Sequence, residues 1–260
     1  MAPQLTVDPG LTLSKVWNAS TMKAVLLGDA AGPGGVLESD SADLARSWDR
    51  FSGGLSSADG LAVAKMVATV LFAGREEPML YFGQEIGMAG TAPSRSPMQC
   101  GGEPGFTSGT PWTAVGQNSA TANVTLEDGD ADSLLNWYRK LSQLRHEQAS
   151  LHEGMLAMLD TGYPEVVAWV RRGDAAKGQP VLVVCNTSGQ ARVITVAESL
   201  RRLGLSAVNG VHPLAVSIAG MKPSYVAGGI ELPPYGVYVG ELRQPGLEDG
   251  DVAMPVRRHR

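Results

Sequence analysis

The stretch Ser57-Ala-Asp-Gly-Leu-Ala-Val-Ala-Lys-Met-Val-Ala-Thr-Val-Leu-Phe-Ala-Gly-Arg-Glu-Glu-Pro-Met-Leu-Tyr-Phe-Gly83 decides the fold. Leu61, Ala64, Met66, Ala68, Val70 and Leu71 recur at helical spacing, and Ser57 is a helix-capping residue type, which predicts a helix from Ser57 to Ala73. Pro78 to Gly83 is a short apolar run closed by glycine and predicts a buried strand. Working outward, Val36-Leu-Glu38 is a short strand leading into a polar segment, Ser39 to Arg50. Before it, Thr12 to Leu27 carries Leu13, Val16, Trp17, Met22 and Val25 on a rough apolar helix face, and Gly28 to Gly35 reads as a turn. After it, a long loop runs from Gly87 to about Asp130, followed by a helix from Asp132 to Gln148 with Leu134, Leu135, Tyr138, Leu141 and Leu144 inward. Strands alternating with helices indicate parallel βα units. Two units fall short of a closed barrel of eight, and a loop this long needs a functional reason.

The sequence changes character near residue 150. Val166 to Val170, Pro180 to Cys185, Arg192 to Val196 and Gly236 to Leu242 read as strands broken by turn signals such as Asn186-Thr-Ser-Gly189. Strands at this spacing without intervening helices predict an antiparallel sandwich. The expected organisation is α/β plus all-β: residues 1-150 as a partial barrel of βα units, 151-245 as a C-terminal β-sandwich and 246-260 as a tail.

Composition narrows the function. With 43% hydrophobic and 18% charged residues the 260-residue chain can bury a core. A net charge of -5 gives no electrostatic footprint for nucleic acid or anionic membranes. The basic cluster Arg257, Arg258 and Arg260 reads as a solvated tail. Cys100 and Cys185 are two unrelated thiols without metal spacing. No signal-like segment opens the chain and no apolar run spans a membrane, so a cytoplasmic location is the default expectation. His146, His152, His212 and His259 show neither metal nor triad context. Phosphate-loop and dinucleotide fingerprints are absent, Gly32-x-Gly34-Gly35 having the wrong spacing.

Three segments then carry a resemblance. Ser41-Ala-Asp-Leu-Ala-Arg-Ser-Trp-Asp-Arg-Phe51 resembles the α-amylase-family segment that reads Asn-His-Asp, then Gln-Pro-Arg, after the seventh barrel strand. Met79-Leu-Tyr-Phe-Gly-Gln-Glu-Ile-Gly-Met88 is similar to the eighth strand of α-glucosidases. Arg95-Ser-Pro-Met-Gln-Cys100, continuing through Gly105-Phe-Thr-Ser-Gly-Thr-Pro-Trp112, resembles the Arg-Thr-Pro-Met-Gln-Trp loop of oligosaccharide α-glucosidases. The helix Asp132 to Leu141, with Arg145 beyond it, completes the match. The order and spacing are the specific signal, and the chain is identified as the C-terminal part of an α-amylase-family (glycoside hydrolase family 13) protein of the oligo-1,6-glucosidase kind. This implies the last βα units of a (β/α)8 barrel, then a β-sandwich.

Retaining glycoside hydrolysis uses two carboxyl groups about 5 Å apart. The resemblance places that nucleophile and acid after the family's fourth and fifth strands, and no segment here matches either. Arg172-Gly-Asp174 reads instead as a hairpin turn. Asp43 aligns with the family's third carboxylate, which holds sugar hydroxyls and stabilises the cationic transition state. Arg46 falls where the family has an arginine that touches sugar or a catalytic carboxylate, and a salt bridge is the alternative. Met98 and Gln99 are expected to line the pocket mouth. Glu85 reads as either a structural partner or a sugar contact. Ala42, Ser41 and Cys100 depart from the family's His, Asn and Trp. Glu38 and Asp40 read as solvated loop charges, and Trp112, Trp137 and Trp169 as core anchors.

The resemblance implies a substrate with α-linked glucose and no metal or organic cofactor, the family's occasional calcium lying in a region not evident here. Three readings follow: a glycosidase completed by another chain or by a new carboxylate pair, a non-catalytic carbohydrate- or protein-binding remnant, or a truncated product. An open parallel sheet leaves unpaired edges, so a homo-oligomer is expected.

Overall fold

The computed structural model describes residues 18–27, 35–101, 106–175, 178–205, 210–218 and 229–244. Helix α1 (Ala19–Leu27) precedes strand β1 (Val36–Glu38), a single π-helical turn over Trp48–Ser52, helix α2 (Ser57–Ala73), strand β2 (Glu77–Met79) and a 3-10 turn over Gln84–Ile86. Helices α3 (Val124–Asp128), α4 (Leu134–Glu147) and α5 (Ala149–His152) follow. The remainder is strands β3 (Met155–Leu159), β4 (Val166–Arg172), β5 (Val181–Asn186) and β6 (Arg192–Thr195), helix α6 (Ala197–Arg202), then β7 (Val211–Val216), β8 (Gly229–Leu232) and β9 (Val237–Leu242). The first part of the helix expected at Thr12, all but the last residue of the turn expected from Gly28 to Gly35, and the C-terminal basic cluster lie outside the described residues.

β1 and β2 pair in parallel, Leu37 opposite Pro78, with α2 as the crossover between them. α2 is almost entirely apolar: Val63, Met66, Val67, Val70 and Leu71 are buried, each stabilising by about 1.5–3 kcal/mol relative to exposure. It starts at Ser57 as expected, but the cap is Ser56, whose Oγ accepts from the Asp59 N–H at 3.1 Å. The run after Pro78 is a second correction. The strand is Glu77–Met79 and is not buried; Met79, Leu80 and Phe82 are 51%, 46% and 42% exposed. The physical reason is pairing: among the described residues β2 has β1 on one side and no strand on the other.

β3, β4, β5, β9 and β7 form one five-stranded antiparallel sheet in that order, and β6 pairs with β8 in a ribbon. Alternation sends Val167, Trp169, Val183, Cys185, Val237 and Val239 to one face. There they share a core with Met22 of α1, Met66 and Val70 of α2, and Leu134, Trp137 and Leu141 of α4. The other face, with Ala168, Val170, Leu182, Val184 and Tyr238, is covered by Ile194 and Ile230 of the ribbon and Leu200 of α6. α6 corrects the expectation that this half lacks helices.

The two halves meet at the C-terminal end of α2. Trp169 Nε1 donates to the Ala73 carbonyl at 3.0 Å. Arg145 Nη1 donates to Phe72 O at 2.9 Å, and the Arg171 guanidinium donates to Gly74 O and, at 2.9 Å, to Gly154 O. Cationic side chains thereby satisfy carbonyls that a helix end leaves unpaired.

Candidate functional site

The loops after β1 and β2 converge. Asp40 is buried rather than solvated: its carboxylate accepts from Ser39 Oγ at 2.8 Å and from the Ser47 N–H at 2.7 Å. Glu38 is likewise buried. Both were expected as loop charges; polar patterning alone cannot reveal that local donors turn a carboxylate inward. Arg50 donates to Ala45 O at 2.9 Å and to Ser39 O, which fixes the loop as a closed turn.

This turn holds Asp43 outward. Its carboxylate side chain is 82% exposed and forms an ion pair with Arg95 at 2.9 Å, while its N–H meets Ser41 Oγ at 3.4 Å. The Ser94 N–H donates to Ala42 O at 2.9 Å, so backbone as well as charge joins the Asp43 loop to the Arg95 loop. In the sequence Arg95 stands out only by its position beside Ser96-Pro97 in a polar loop.

Arg46 points the other way. It is buried, donates from Nη1 to Phe82 O at 2.5 Å, and lies over the rings of Tyr81 and Phe82 with centroids at 4.8 and 4.9 Å. Its Nε and Nη2 have no partner among the described residues. Burial pulls its pKa down against the opposing charges of Asp40 and Glu85. Glu85, half-buried beside it, is pushed up by burial, opposed by backbone N–H groups of Glu85 and Gly83 and by Arg46.

The turn between β2 and this cluster needs its glycines. Gly83 has φ 81, and a Cβ there would lie 2.1 Å from Met88 Sδ; at Gly87, φ 62, a Cβ would meet Trp48 at 2.7 Å. Both belong to the motif Gly83-Gln-Glu-Ile-Gly87, which explains its shape physically.

Met98 and Gln99, expected at a pocket mouth, are held by packing and hydrogen bonds within the loop. Met98 packs on Ile86, Met88 and Leu135. Gln99 is buried and donates from Nε2 to Ala122 O at 2.5 Å and to Asn118 Oδ1 at 3.3 Å. They pin the long loop to the β2 turn, as an amphipathic Met-Gln pair does between a core and a folded loop. Trp137 and Trp169 are buried, but Trp112 is 71% exposed, against the expectation of a core anchor. It borders a cavity of about 410 Å³ that Arg95 and Asp49 also line. Asp49 there accepts from the Gly90 N–H at 2.5 Å. Among the described residues no group of three or more His, Cys, Asp or Glu is placed to hold a metal, and no helix is long and apolar enough to cross a membrane.

The structure thus joins a parallel βα edge, an Asp-x-x-Arg turn beyond the carboxyl end of its first strand and a long loop after its second. Residues 36–154 match the family model for the alpha amylase catalytic domain. It is 31% identical over 175 residues to the probable oligo-1,6-glucosidase 2 of Bacillus subtilis (strain 168), covering 51% of this chain and 30% of the relative. It is 32% identical over 168 residues to the oligo-1,6-glucosidase of Halalkalibacterium halodurans, covering 49% and 29%. The fold is similar to that of the trehalulose synthase MutB from Pseudomonas mesoacidophila MX-45, with TM-score 0.68, 25% identity, and coverage of 86% of this chain and 46% of that one. The chain thus spans about 30% of the length of these curated relatives.

Proposed function

We propose that this chain supplies one wall of a site for oligosaccharides with α-linked glucose, in the manner of an α-glucosidase, with Asp43 as the carboxylate that holds sugar hydroxyls. The single observation that carries this is the Asp43–Arg95 ion pair, which couples two of the motif segments at the carboxyl end of the β1–β2 edge. A loop carboxylate at that end of a barrel strand is where the fold presents chemistry. Arg46 serves as the buried support of the same wall, while Met98 and Gln99 hold its loop in place.

The domain reading that accompanies this is residues 1-150 as the last βα units and 151-245 as a β-sandwich formed by the five-stranded sheet and the β6–β8 ribbon. It is supported by a family match that ends at residue 154.

Hydrolysis needs a nucleophile and an acid about 5 Å apart. The groups described around Asp43 offer it a cation and backbone, so this chain alone is a binder of α-glucosides and turnover requires carboxylates from elsewhere. The test is turnover of aryl α-glucosides, maltose and isomaltose by the purified chain and by Asp43→Ala. No turnover above the uncatalysed rate, with maltose or isomaltose binding weakened by the substitution, is the expected result. Turnover that disappears in Asp43→Ala would overturn the division of labour.

The exposed Met79, Leu80 and Phe82 favour a second reading, that two copies of the chain associate through the open β2 side. Light scattering coupled to size exclusion decides it: a dimer that Leu80→Glu dissociates supports the reading, and a stable monomer removes it.

A further inference from the structure

The end of α2 meets the five-stranded sheet in a cluster of charged side chains. Arg145 of α4 and Arg171 of β4 are both buried there. Arg145 Nη2 donates to Glu76 O at 3.1 Å and Arg171 Nη1 to Ala73 O at 3.2 Å. These acceptors are neutral. A carbonyl satisfies an N–H without cancelling the charge, and a guanidinium taken out of water stays costly until a carboxylate compensates it. The described residues place Glu76 and Glu77 beside these arginines. Glu77 lies 3.3 Å from Arg145 Nη2, but its side chain is 57% exposed, so water screens the pair. Glu76 has a side chain only 2% exposed and lies 3.2 Å from Arg75. Its Oε2, like Arg145 Nε, meets no hydrogen-bond partner among the described residues. A single ion pair to a partly exposed arginine does not account for burying a carboxylate. The two buried guanidiniums do, because in a water-poor junction a charge acts beyond its hydrogen-bond partners. Burial first, then Arg145, pulls the Arg171 pKa down to about 10, and Glu76 and Glu77 oppose that pull.

We infer that Glu76 is the counter-ion of a clasp between the two halves, and that its charge sets how often the sheet parts from the end of α2. It is a positioning residue that acts through Arg145 and Arg171. With the carboxylate in place, both guanidiniums stay buried and keep their hold on Phe72, Ala73, Gly74 and Gly154. Without it, the buried positive charge is relieved by letting water reach the junction, which loosens those same bonds. The location gives the clasp a reach beyond the junction. β2 begins at the next residue, Glu77, and the chain beyond β2 carries Tyr81 and Phe82, the rings that hold Arg46. None of this rests on the sugar-binding role proposed above.

The test is hydrogen exchange of the whole chain, followed by NMR at two places. The Trp169 indole N–H, bonded to Ala73 O, reports opening of the junction, and the amides of the central strand β5 report opening of the sheet itself. Glu76→Gln removes the charge and keeps the shape. It is expected to speed exchange at the Trp169 indole by about tenfold or more while β5 amides stay within about threefold of the parent chain. Glu77→Gln, at an exposed position, is expected to leave both within about threefold. Glu76→Asp keeps the charge one methylene shorter and is expected to fall between the parent and the glutamine variant at Trp169. Should the glutamine variant not fold, Glu76→Asp decides: Trp169 exchange faster than in the parent, with β5 unmoved, supports the clasp. Equal acceleration at Trp169 and β5 would overturn it, because Glu76 would then contribute to stability without governing the junction. No acceleration in Glu76→Gln, or the same acceleration in Glu77→Gln, would overturn it as well.

Discussion

The Asp43 carboxylate lies 2.9 Å from the Arg95 guanidinium, and both side chains are more than half exposed. Water screens such a pair, so it contributes on the order of 0–1 kcal/mol to folding. A double-mutant cycle of Asp43→Ala and Arg95→Ala, read by urea unfolding, is expected to give a coupling below about 1 kcal/mol. Under the proposed function, the same cycle read by isomaltose affinity should show a larger interaction, because Arg95 would then orient the carboxylate proposed to hold the sugar hydroxyls. Equal coupling in both readouts would make the pair a surface contact only.

Arg46 behaves differently because it is buried and half-satisfied. Its Nη1 serves Phe82 O, while Nε and Nη2 meet no described acceptor. A buried charge without a carboxylate partner is a poor source of stability. Arg46→Met keeps most of the volume over Tyr81 and Phe82, and is expected to cost no more than about 1.5 kcal/mol. Arg46→Ala, which leaves a cavity, should cost about 2–5 kcal/mol. Chemical denaturation of both variants checks the ordering. A methionine variant that unfolds as readily as the alanine one would show that the guanidinium itself holds the loop.

How far the sequence could foresee this divides along physical lines. The α2 boundaries and the strands at Val36, Val166, Val181 and Val237 were legible because each is a long or dense apolar pattern. β3, β7 and β8 were not: Met155 is 76% exposed, β7 contains Pro213, and β8 is short, so edge strands offer little alternation to read. Asp43 and Arg46 were singled out through the motif, but their opposite orientations were not. That difference comes from Asp40 and Arg50 closing the turn through hydrogen bonds to nearby backbone, which spacing does not encode. The placement of Met98 and Gln99 has a related cause: the loop folds back on Ile86 and Asn118, which buries Gln99 and half-buries Met98, and sequence spacing does not encode that fold.

Glu85 gives a pH prediction with a definite sign. Burial raises its folded pKa above the ordinary value of 4.5. The folded state therefore favours the protonated carboxyl more than the unfolded chain does. The associated stability is fully present below about pH 4.5 and is lost as pH rises through the higher folded pKa. Glu85→Gln mimics the neutral form. Its melting temperature relative to the parent chain should be least favourable below pH 4.5 and rise across the range above it, then level off. A difference that does not change with pH would mean that Glu85 titrates alike in both states.

Trp169 bears on whether the halves are independent. Its indole is fully buried in the core shared by α1, α2, α4 and the five-stranded sheet, and its Nε1 donates to Ala73 O across 3.0 Å. Removing it creates a cavity in a surface common to both halves and deletes a donor from the end of α2. Trp169→Ala is expected to lose about 3–5 kcal/mol. Since the lost contacts belong to both halves, helix and sheet signals should shift together in one transition, with far-UV and near-UV circular dichroism giving coincident curves. Two separated transitions would show that the sheet and the βα part hold their cores independently. Trp169→Phe retains much of the volume but not the N–H, so its cost should fall between the parent and the alanine variant. If the phenylalanine chain melts with the parent, packing alone joins the halves and the hydrogen bond to Ala73 contributes nothing measurable.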